Sequence, residues 1–306
     1  MRKERFFVLL RTLRANQWIK NLVVFTAILF SGKLFDQELF IRTGFAFLIF
    51  CLLSSTSYVL NDIIDFPYDK KHPIKRLRPI PSGQVTIPQA TFMVFLLTLL
   101  SLIAALFFSI PFFFLSLVFI LLHFFYSLYL KKHPIIDIFA ISFSFMIRTF
   151  GGEVASGYHI PIWLTLTIFF VSLFMATVKR HAELVAHGKD ARPSLYYYKE
   201  HLLDFLTTTF ATITIIAYSF YTYFEKLPSA RTFFKDFFSS TFPGFEARKW
   251  MMITIPFVVY GIARYAQLLY EKEEGERPEK LITTDIPLIA SIGGWAVVVI
   301  LLIYVL

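Results

Sequence analysis

Phe45-Ala-Phe-Leu-Ile-Phe-Cys-Leu-Leu-Ser-Ser-Thr-Ser-Tyr-Val-Leu60 runs without a break into Asn61-Asp62-Ile-Ile-Asp65-Phe-Pro-Tyr-Asp69, and Lys70, Lys71, Lys75, Arg76 and Arg78 follow. The first part has the character of a membrane helix, and the second reads N-D-x-x-D-x-x-x-D. If the helix continues through the motif, acids three and four residues apart share one narrow face at about 100° per residue. Three anions so placed at the edge of a bilayer repel one another and call for a positive partner. Hard carboxylate oxygens at this spacing suit Mg²⁺ or Mn²⁺, completed by the phosphates of a substrate. The basic residues just downstream, Lys75 and Arg78 among them, would grip the remaining phosphate charge. An isolated D-x-x-D is as readily a solvated cap, and Pro67 is expected to end the helix before Asp69. The leading Asn61, the third acid and the basic tail favour the metal–phosphate reading.

The chain around this stretch is membrane-like throughout. Its 306 residues are 57% hydrophobic with a mean hydropathy of +0.63, and apolar runs of spanning length recur. This excludes a soluble domain and predicts an all-α fold, a multi-span membrane helix bundle of about nine transmembrane helices. The spans are expected near 16–35, 41–63, 88–108, 111–130, 135–151, 161–181, 203–224, 250–270 and 285–305. Turn residues punctuate them: Pro81 and Gly83, Pro111, Pro134, Gly151-Gly152 and Gly157, Pro228, Pro243-Gly244 and Pro287. With no long linker between them, they predict a single integral-membrane domain over 1–306.

A cytoplasmic N-terminus puts most of the positive charge on the cytoplasmic side. Arg2 to Arg14, Lys70 to Arg78, Lys131, Lys132, Lys179, Arg180, Lys189, Arg192 and Lys199 all fall there. The motif then faces the cytoplasm from a multi-pass protein of the cell (inner) membrane. The net charge of +9 is accounted for by topology and by anionic lipid or phosphate, so nucleic acid is not invoked as a partner. Cys51 is the single cysteine, which excludes an intrachain disulfide. The basic Met1–Arg14 segment leads into no small-residue cleavage site, so no cleavable signal peptide is expected. The Phe-rich stretch from Glu225 to Lys249 reads either as an interfacial amphipathic helix or as a connecting loop.

A second constellation, Lys179-Arg180-His181-Ala-Glu183-Leu184, closes the sixth expected span. Glu183 is spaced to pair with Lys179 at i,i+4 or Arg180 at i,i+3, and Arg192 follows in the loop. Alone this is a positive flank with a helix salt bridge. Its expected position on the face of the acidic motif makes Lys179, Arg180 and Arg192 candidate phosphate contacts. Glu183 would orient them or join the metal shell. The same face receives Trp18 and Lys20 at the start of the first span, then Tyr126 and Lys131 with Asp137 soon after. Lys20 and Lys131 read either as interfacial flanks or as phosphate contacts. Arg148 sits deep in the fifth span, where a charge needs a partner, and Glu153 is the nearest acid in sequence.

These residues resemble those of the UbiA-type intramembrane prenyltransferases. The resemblance lies in the N-D-x-x-D-x-x-x-D at the end of the second helix, followed by Arg78-Pro-Ile-Pro-Ser-Gly83. Within that group, Gln17-Trp18-Ile-Lys20-Asn21, Tyr126-Ser127-x-x-Leu130-Lys131, Arg148-x-x-Gly151-Gly152, Lys179-Arg180-x-x-Glu183-Leu184 and Leu281 to Leu288 are similar to the decaprenyl-phosphate phosphoribosyltransferases. One departure separates the chain from the aromatic prenyltransferases. Where they carry a second D-x-x-x-D, it has Lys179-Arg180-x-x-Glu183, with Asp190 further on. Basic residues there suit a donor with an additional phosphate.

The resemblance implies an integral-membrane transferase that uses Mg²⁺, with Mn²⁺ as a substitute, and phosphoribosyl pyrophosphate as donor. The acceptor would be a polyprenyl phosphate lipid. Asp62, Asp65 and Asp69 would hold the metal and, with Lys179 and Glu183, form the catalytic set. Asn61, Lys20, Lys75, Arg78, Tyr126, Lys131, Arg180 and Arg192 would bind substrate. Prenyl transfer from an isoprenoid diphosphate is the alternative within the superfamily. A transporter without catalysis is the alternative outside it, and it predicts midplane polar sites and inverted repeats that the sequence does not display. A homo-oligomer is compatible with every feature read.

Overall fold

The computed structural model describes residues 2–71, 75–187, 194, 196, 198–225, 241, 250–272 and 284–305. Among them there is no strand. The helices are α1 (Arg2–Leu13), α2 (Thr26–Phe30), α3 (Gln37–Ile64), α4 (Phe66–Asp69), α5 (Ile87–Phe108) and α6 (Ile110–Leu128). They continue as α7 (Ile136–Ser156), α8 (Ile162–His187), α9 (Glu200–Phe224), α10 (Ile255–Lys272) and α11 (Ile286–Tyr304). Eight stretches among the described residues are long and apolar enough to cross a bilayer, and the protein is a multi-pass membrane protein. They match the second to ninth expected spans. The first expected span is built differently: Ala15–Phe25 winds as a 3₁₀ helix, and only Thr26–Phe30 is α-helical.

Local chemistry explains where the helices begin. Thr86 caps α5 with a full capping box, its hydroxyl accepting from Gln89 N while Gln89 Oε1 accepts from Thr86 N, and Pro88 fills the first turn. Ser109, fully extended at φ −174°, separates α5 from α6 and caps α6 by accepting from Phe112 N, with Pro111 behind it. Asp285 accepts from Leu288 N at 3.0 Å to start α11, again with a proline in the first turn. Gly157 ends α7 at φ +75°. Gly151 and Gly152 are not turn residues as expected. They lie inside α7, where the missing side chains admit a neighbouring segment.

The chain divides into two compact units. The first holds residues 1–25, 41–131 and 147–157. Its core is built on Phe50, whose ring meets those of Phe112 and Phe119 edge-on at 5.4 and 5.6 Å, with Val24, Ala105 and Ala155 packed around them. A smaller cluster of Val59, Ile80, Val85 and Ala90 lies beside the end of α3. The second unit holds residues 26–40, 132–146 and 158–306. One of its cores gathers Leu173, Phe174, Val178, Leu203 and Leu268. The other gathers Phe30, Tyr218, Tyr221, Val299 and Leu302, with Trp295 Nε1 donating to the Tyr218 hydroxyl at 2.7 Å.

Candidate active site

In the first unit, α3 is 28 residues long, about 42 Å at 1.5 Å per residue. This exceeds a hydrocarbon core of about 30 Å, so the end of the helix reaches past it. The winding loosens at Asp65, where Pro67 lacks an N–H, and resumes as α4. Register survives the interruption. Asp65 N still donates to Asn61 O at 2.9 Å, and Asp69 N to Asp65 O at 2.8 Å. Pro67 therefore does not cut Asp69 off from the motif.

At about 100° per residue, Asp62 and Asp69 lie about 20° apart around the axis, and Asp65 stands about 60° to one side of Asp62. The ion pairs follow that division. Asp62 and Asp69 both accept from Arg78 Nη1, at 3.1 and 2.5 Å, and their carboxylates are almost wholly buried. Asp62 also accepts from Arg14 Nη2 at 2.5 Å. Asp65 instead accepts from Lys131 Nζ at 2.5 Å. Asn61 bridges that pair, taking a bond from Lys131 through Oδ1 at 3.1 Å and donating through Nδ2 to Asp65 at 2.9 Å. As they stand, no three His, Cys, Asp or Glu side chains among the described residues are grouped to hold a metal. The three acids are shared out between cations.

Below the motif in the same unit lies a buried polar cluster. Arg148 Nε donates to Asn21 Oδ1 at 2.6 Å, and its Nη2 donates to Ser54 Oγ at 3.2 Å. Its guanidinium also stands 4.6 Å from the centre of the Phe119 ring. Asn21 and Ser54 are thus polar partners of Arg148 that the sequence did not single out.

The second unit holds Lys179, Arg180 and Glu183. The expected i,i+3 pair forms, with Arg180 Nη1 on Glu183 Oε2. Arg180 is also bound through Nε to Asp137 Oδ2 at 2.8 Å, and its side chain is 1% exposed. Asp137, fully buried, is the centre of this network: the Tyr198 hydroxyl donates to it at 2.8 Å and Ser194 Oγ at 3.4 Å. The Tyr198 oxygen in turn accepts from Ile135 N at 2.5 Å. Ile135 is at φ +69°, a left-handed conformation strongly disfavoured for a β-branched residue. Burial, and then the Asp137 carboxylate, push the Tyr198 phenol above its ordinary range, so it remains a neutral donor. Tyr198→Phe is expected to cost about 1–3 kcal/mol, because it strands the Ile135 N–H and one Asp137 oxygen. Thermal unfolding of the purified variant measures this.

Of the residues expected to bind substrate, the first unit contains Lys20, Asn61, Lys75, Arg78, Tyr126 and Lys131. Lys20, Lys75 and Tyr126 are half-buried. Lys131 pairs with Asp65 in the first unit, and Asp137 with Arg180 in the second. Arg192, residues 226–240 and 242–249, and Leu281 to Thr283 lie outside the described residues. Arg14 is an ionised partner that sequence reasoning did not assign to the motif, and the pairing of Asp137 with Arg180 was not foreseen either. Each is far in sequence from what it binds, and only their charge and their place beside a helix end marked them.

Known proteins resemble this chain over most of its length. The UbiA prenyltransferase family profile matches residues 22–286. A decaprenyl-phosphate phosphoribosyltransferase of Corynebacterium glutamicum is 31% identical over 97% of this chain and 87% of its own length. Its namesake from Mycolicibacterium smegmatis is 33% identical over 90% of this chain and 86% of its own length. The fold is that of a UbiA homolog from Archaeoglobus fulgidus solved with GPP and Mg²⁺, at a TM-score of 0.68 and 17% identity, covering 96% of this chain and 97% of that one. A helical bundle with an N-D-x-x-D at the end of a long spanning helix, matched by profile over most of its length, places this transferase in the UbiA prenyltransferase family.

Proposed function

We propose that the chain is a polyprenyl-phosphate phosphoribosyltransferase, one integral-membrane transferase domain over 1–306. It moves 5-phosphoribose from phosphoribosyl pyrophosphate to a polyprenyl phosphate of the decaprenyl or undecaprenyl type and releases pyrophosphate. The observation that carries this reading is the near full-length relationship to the two phosphoribosyltransferases. The charge at the end of α8 supports it, since Lys179-Arg180-x-x-Glu183 replaces a second acidic motif.

Asp62, Asp65 and Asp69 would hold Mg²⁺ or Mn²⁺. Their hard oxygens are the donors these ions take, and Asp62 and Asp69 already meet at one nitrogen of Arg78, so the residues fit the ion. Asp65, paired here with Lys131, would be the third carboxylate available to the ion. The bound ion supplies positive charge to the departing pyrophosphate. Arg78 and Lys131, cations already beside the acids, would bind phosphate oxygens of the donor, and Asn61 would keep Asp65 oriented. Within the first unit, Lys20 and Lys75 would supply further cations for the donor's phosphates, and Tyr126 a hydroxyl. Arg180, enclosed by Asp137 and Glu183, fixes Glu183 rather than touching substrate.

The bond from ribose C1 to the pyrophosphate oxygen breaks as a phosphate oxygen of the lipid attacks C1. That phosphate is already an anion near neutral pH, so no strong base is needed. The positive charge of the connecting segments favours the cytoplasmic face for this chemistry. In the second unit, a cavity of about 330 Å³ lined by Phe30, Leu164, Phe174, Ile262 and Trp295 is apolar enough to take part of an isoprenoid chain.

Prenyl transfer from an isoprenoid diphosphate is the second reading, favoured by the GPP bound in the Archaeoglobus fulgidus fold relative. Purified protein with Mg²⁺, phosphoribosyl pyrophosphate and polyprenyl phosphate distinguishes the two. Pyrophosphate release with formation of a polyprenyl-phosphoryl 5-phosphoribose is expected. Turnover of geranylgeranyl or longer diphosphates, with no release from phosphoribosyl pyrophosphate, overturns the first reading.

A further inference from the structure

The cation closest to Asp62 comes from outside the motif and its basic tail. Arg14 occupies the turn between α1 and the 3₁₀ stretch at φ +51°, in the left-handed region that side chains other than glycine avoid. Both sides of that turn are pinned to α3. Ser55 Oγ donates to Leu13 O at 2.9 Å and accepts from Trp18 Nε1 at 3.0 Å. Asn21 donates to Cys51 Sγ at 3.3 Å and accepts from Ser54 Oγ at 3.1 Å. With Tyr58 and Asp62, these residues form one stripe of α3 at spacings of three and four.

The backbone at Arg14 is therefore held, and the guanidinium is the part able to move. It reaches Asp62 Oδ1 at 2.5 Å, stands 5.3 Å from the centre of the Tyr58 ring, and keeps 24% of its side chain exposed. Asp62 Oδ1 also carries Arg78, so a divalent ion that takes this oxygen has to displace a guanidinium. A cation displaced a few ångströms from a metal-bound pyrophosphate has an anion at hand, and a guanidinium matches phosphate oxygens in a fork.

We propose that Arg14 is a counter-ion exchanger: it neutralises Asp62 until the divalent ion binds, then transfers its charge to a phosphate of the donor. The donor's identity rests on the function proposed above, whereas the competition between Arg14 and metal for Asp62 does not. The test uses full-length protein in nanodiscs, with Mn²⁺ titrated by electron paramagnetic resonance and donor binding by calorimetry. In the absence of donor, Arg14→Gln is expected to bind Mn²⁺ about threefold or more tightly than wild type, because a competitor is gone. With Mn²⁺ saturating, its affinity for phosphoribosyl pyrophosphate is expected to fall about tenfold, and Arg14→Lys to recover part of that loss.

Unchanged or weaker Mn²⁺ binding in Arg14→Gln overturns the exchange. Tighter Mn²⁺ binding with undiminished donor affinity also overturns it, leaving Arg14 as a competitor alone. Should Arg14→Gln fail to fold, Arg14→Lys, shorter in reach and unable to form the fork, must show the same two signs in smaller measure. If wild type binds geranylgeranyl diphosphate and not phosphoribosyl pyrophosphate, the phosphoribosyl reading falls. The same titrations with geranylgeranyl diphosphate then decide the role of Arg14.

Discussion

Asp65→Asn is expected to lower turnover by on the order of 10³-fold while the protein still inserts and folds. Asp65 is the least enclosed of the three acids, 24% exposed, and it meets Lys131 and Asn61 rather than the pair of guanidiniums around Asp62. An asparagine there keeps an oxygen for Lys131, so the loss of stability is about 1 kcal/mol. What it cannot supply is the anionic ligand that a hard divalent ion prefers. Asp62→Asn would be a poorer probe. It leaves Arg14 and Arg78 without their shared carboxylate in a buried setting, so its effect on folding would mix with its effect on catalysis. Pyrophosphate release under saturating Mg²⁺, beside a thermal unfolding curve, separates the two effects. Activity of Asp65→Asn within about tenfold of wild type would remove Asp65 from the metal shell.

The placement of that acid was legible because hydropathy and spacing report directly on a helix and its end. Eight spans fall where apolar runs and turn residues put them, Pro111 and Pro287 among them. The segment Ala15–Phe25 was not, since its apolar content is the same for three or 3.6 residues per turn, and the choice depends on what it packs against. Ion partners were only partly legible. Arg180 with Glu183 could be read because both lie on one helix, at a spacing that faces them together. Arg14 with Asp62 could not, as 48 residues separate them and the pair exists only once the turn at Arg14 is docked on α3. Asp137 lies near Lys131 in the chain, yet it serves Arg180 and Tyr198. Nearness in sequence did not indicate those partners, which lie 43 and 61 residues away.

Gly152→Ala is expected to destabilise the protein by about 3 kcal/mol or more, the largest effect of a single methyl group in the first unit. A Cβ at Gly152 would stand 2.1 Å from the carbonyl oxygen of Val24 and 2.9 Å from its carbonyl carbon. These are backbone atoms of the 3₁₀ stretch, and they cannot rotate away as a side chain can. Gly151→Ala meets the Phe50 ring at 2.4 Å, and a ring can shift at the cost of its edge-on packing, so a smaller loss is expected there. Gly44→Ala is the control. Nothing lies within 4 Å of its Cβ position inside α3, and replacing a helical glycine should be neutral or stabilising by up to about 1 kcal/mol. The consequence of Gly152→Ala extends to the site, because the segment it displaces also carries Trp18 and Asn21 and follows directly on Arg14. A push on Val24 alters the docking that aims Arg14 at Asp62. Thermal unfolding of the three variants should therefore rank Gly152→Ala below Gly151→Ala and Gly151→Ala below Gly44→Ala. Mn²⁺ binding should change only in the first. If Gly152→Ala were as stable as Gly44→Ala, the close approach of α7 to the 3₁₀ stretch would be wrong, and Arg14 would rest on the bonds to α3 alone.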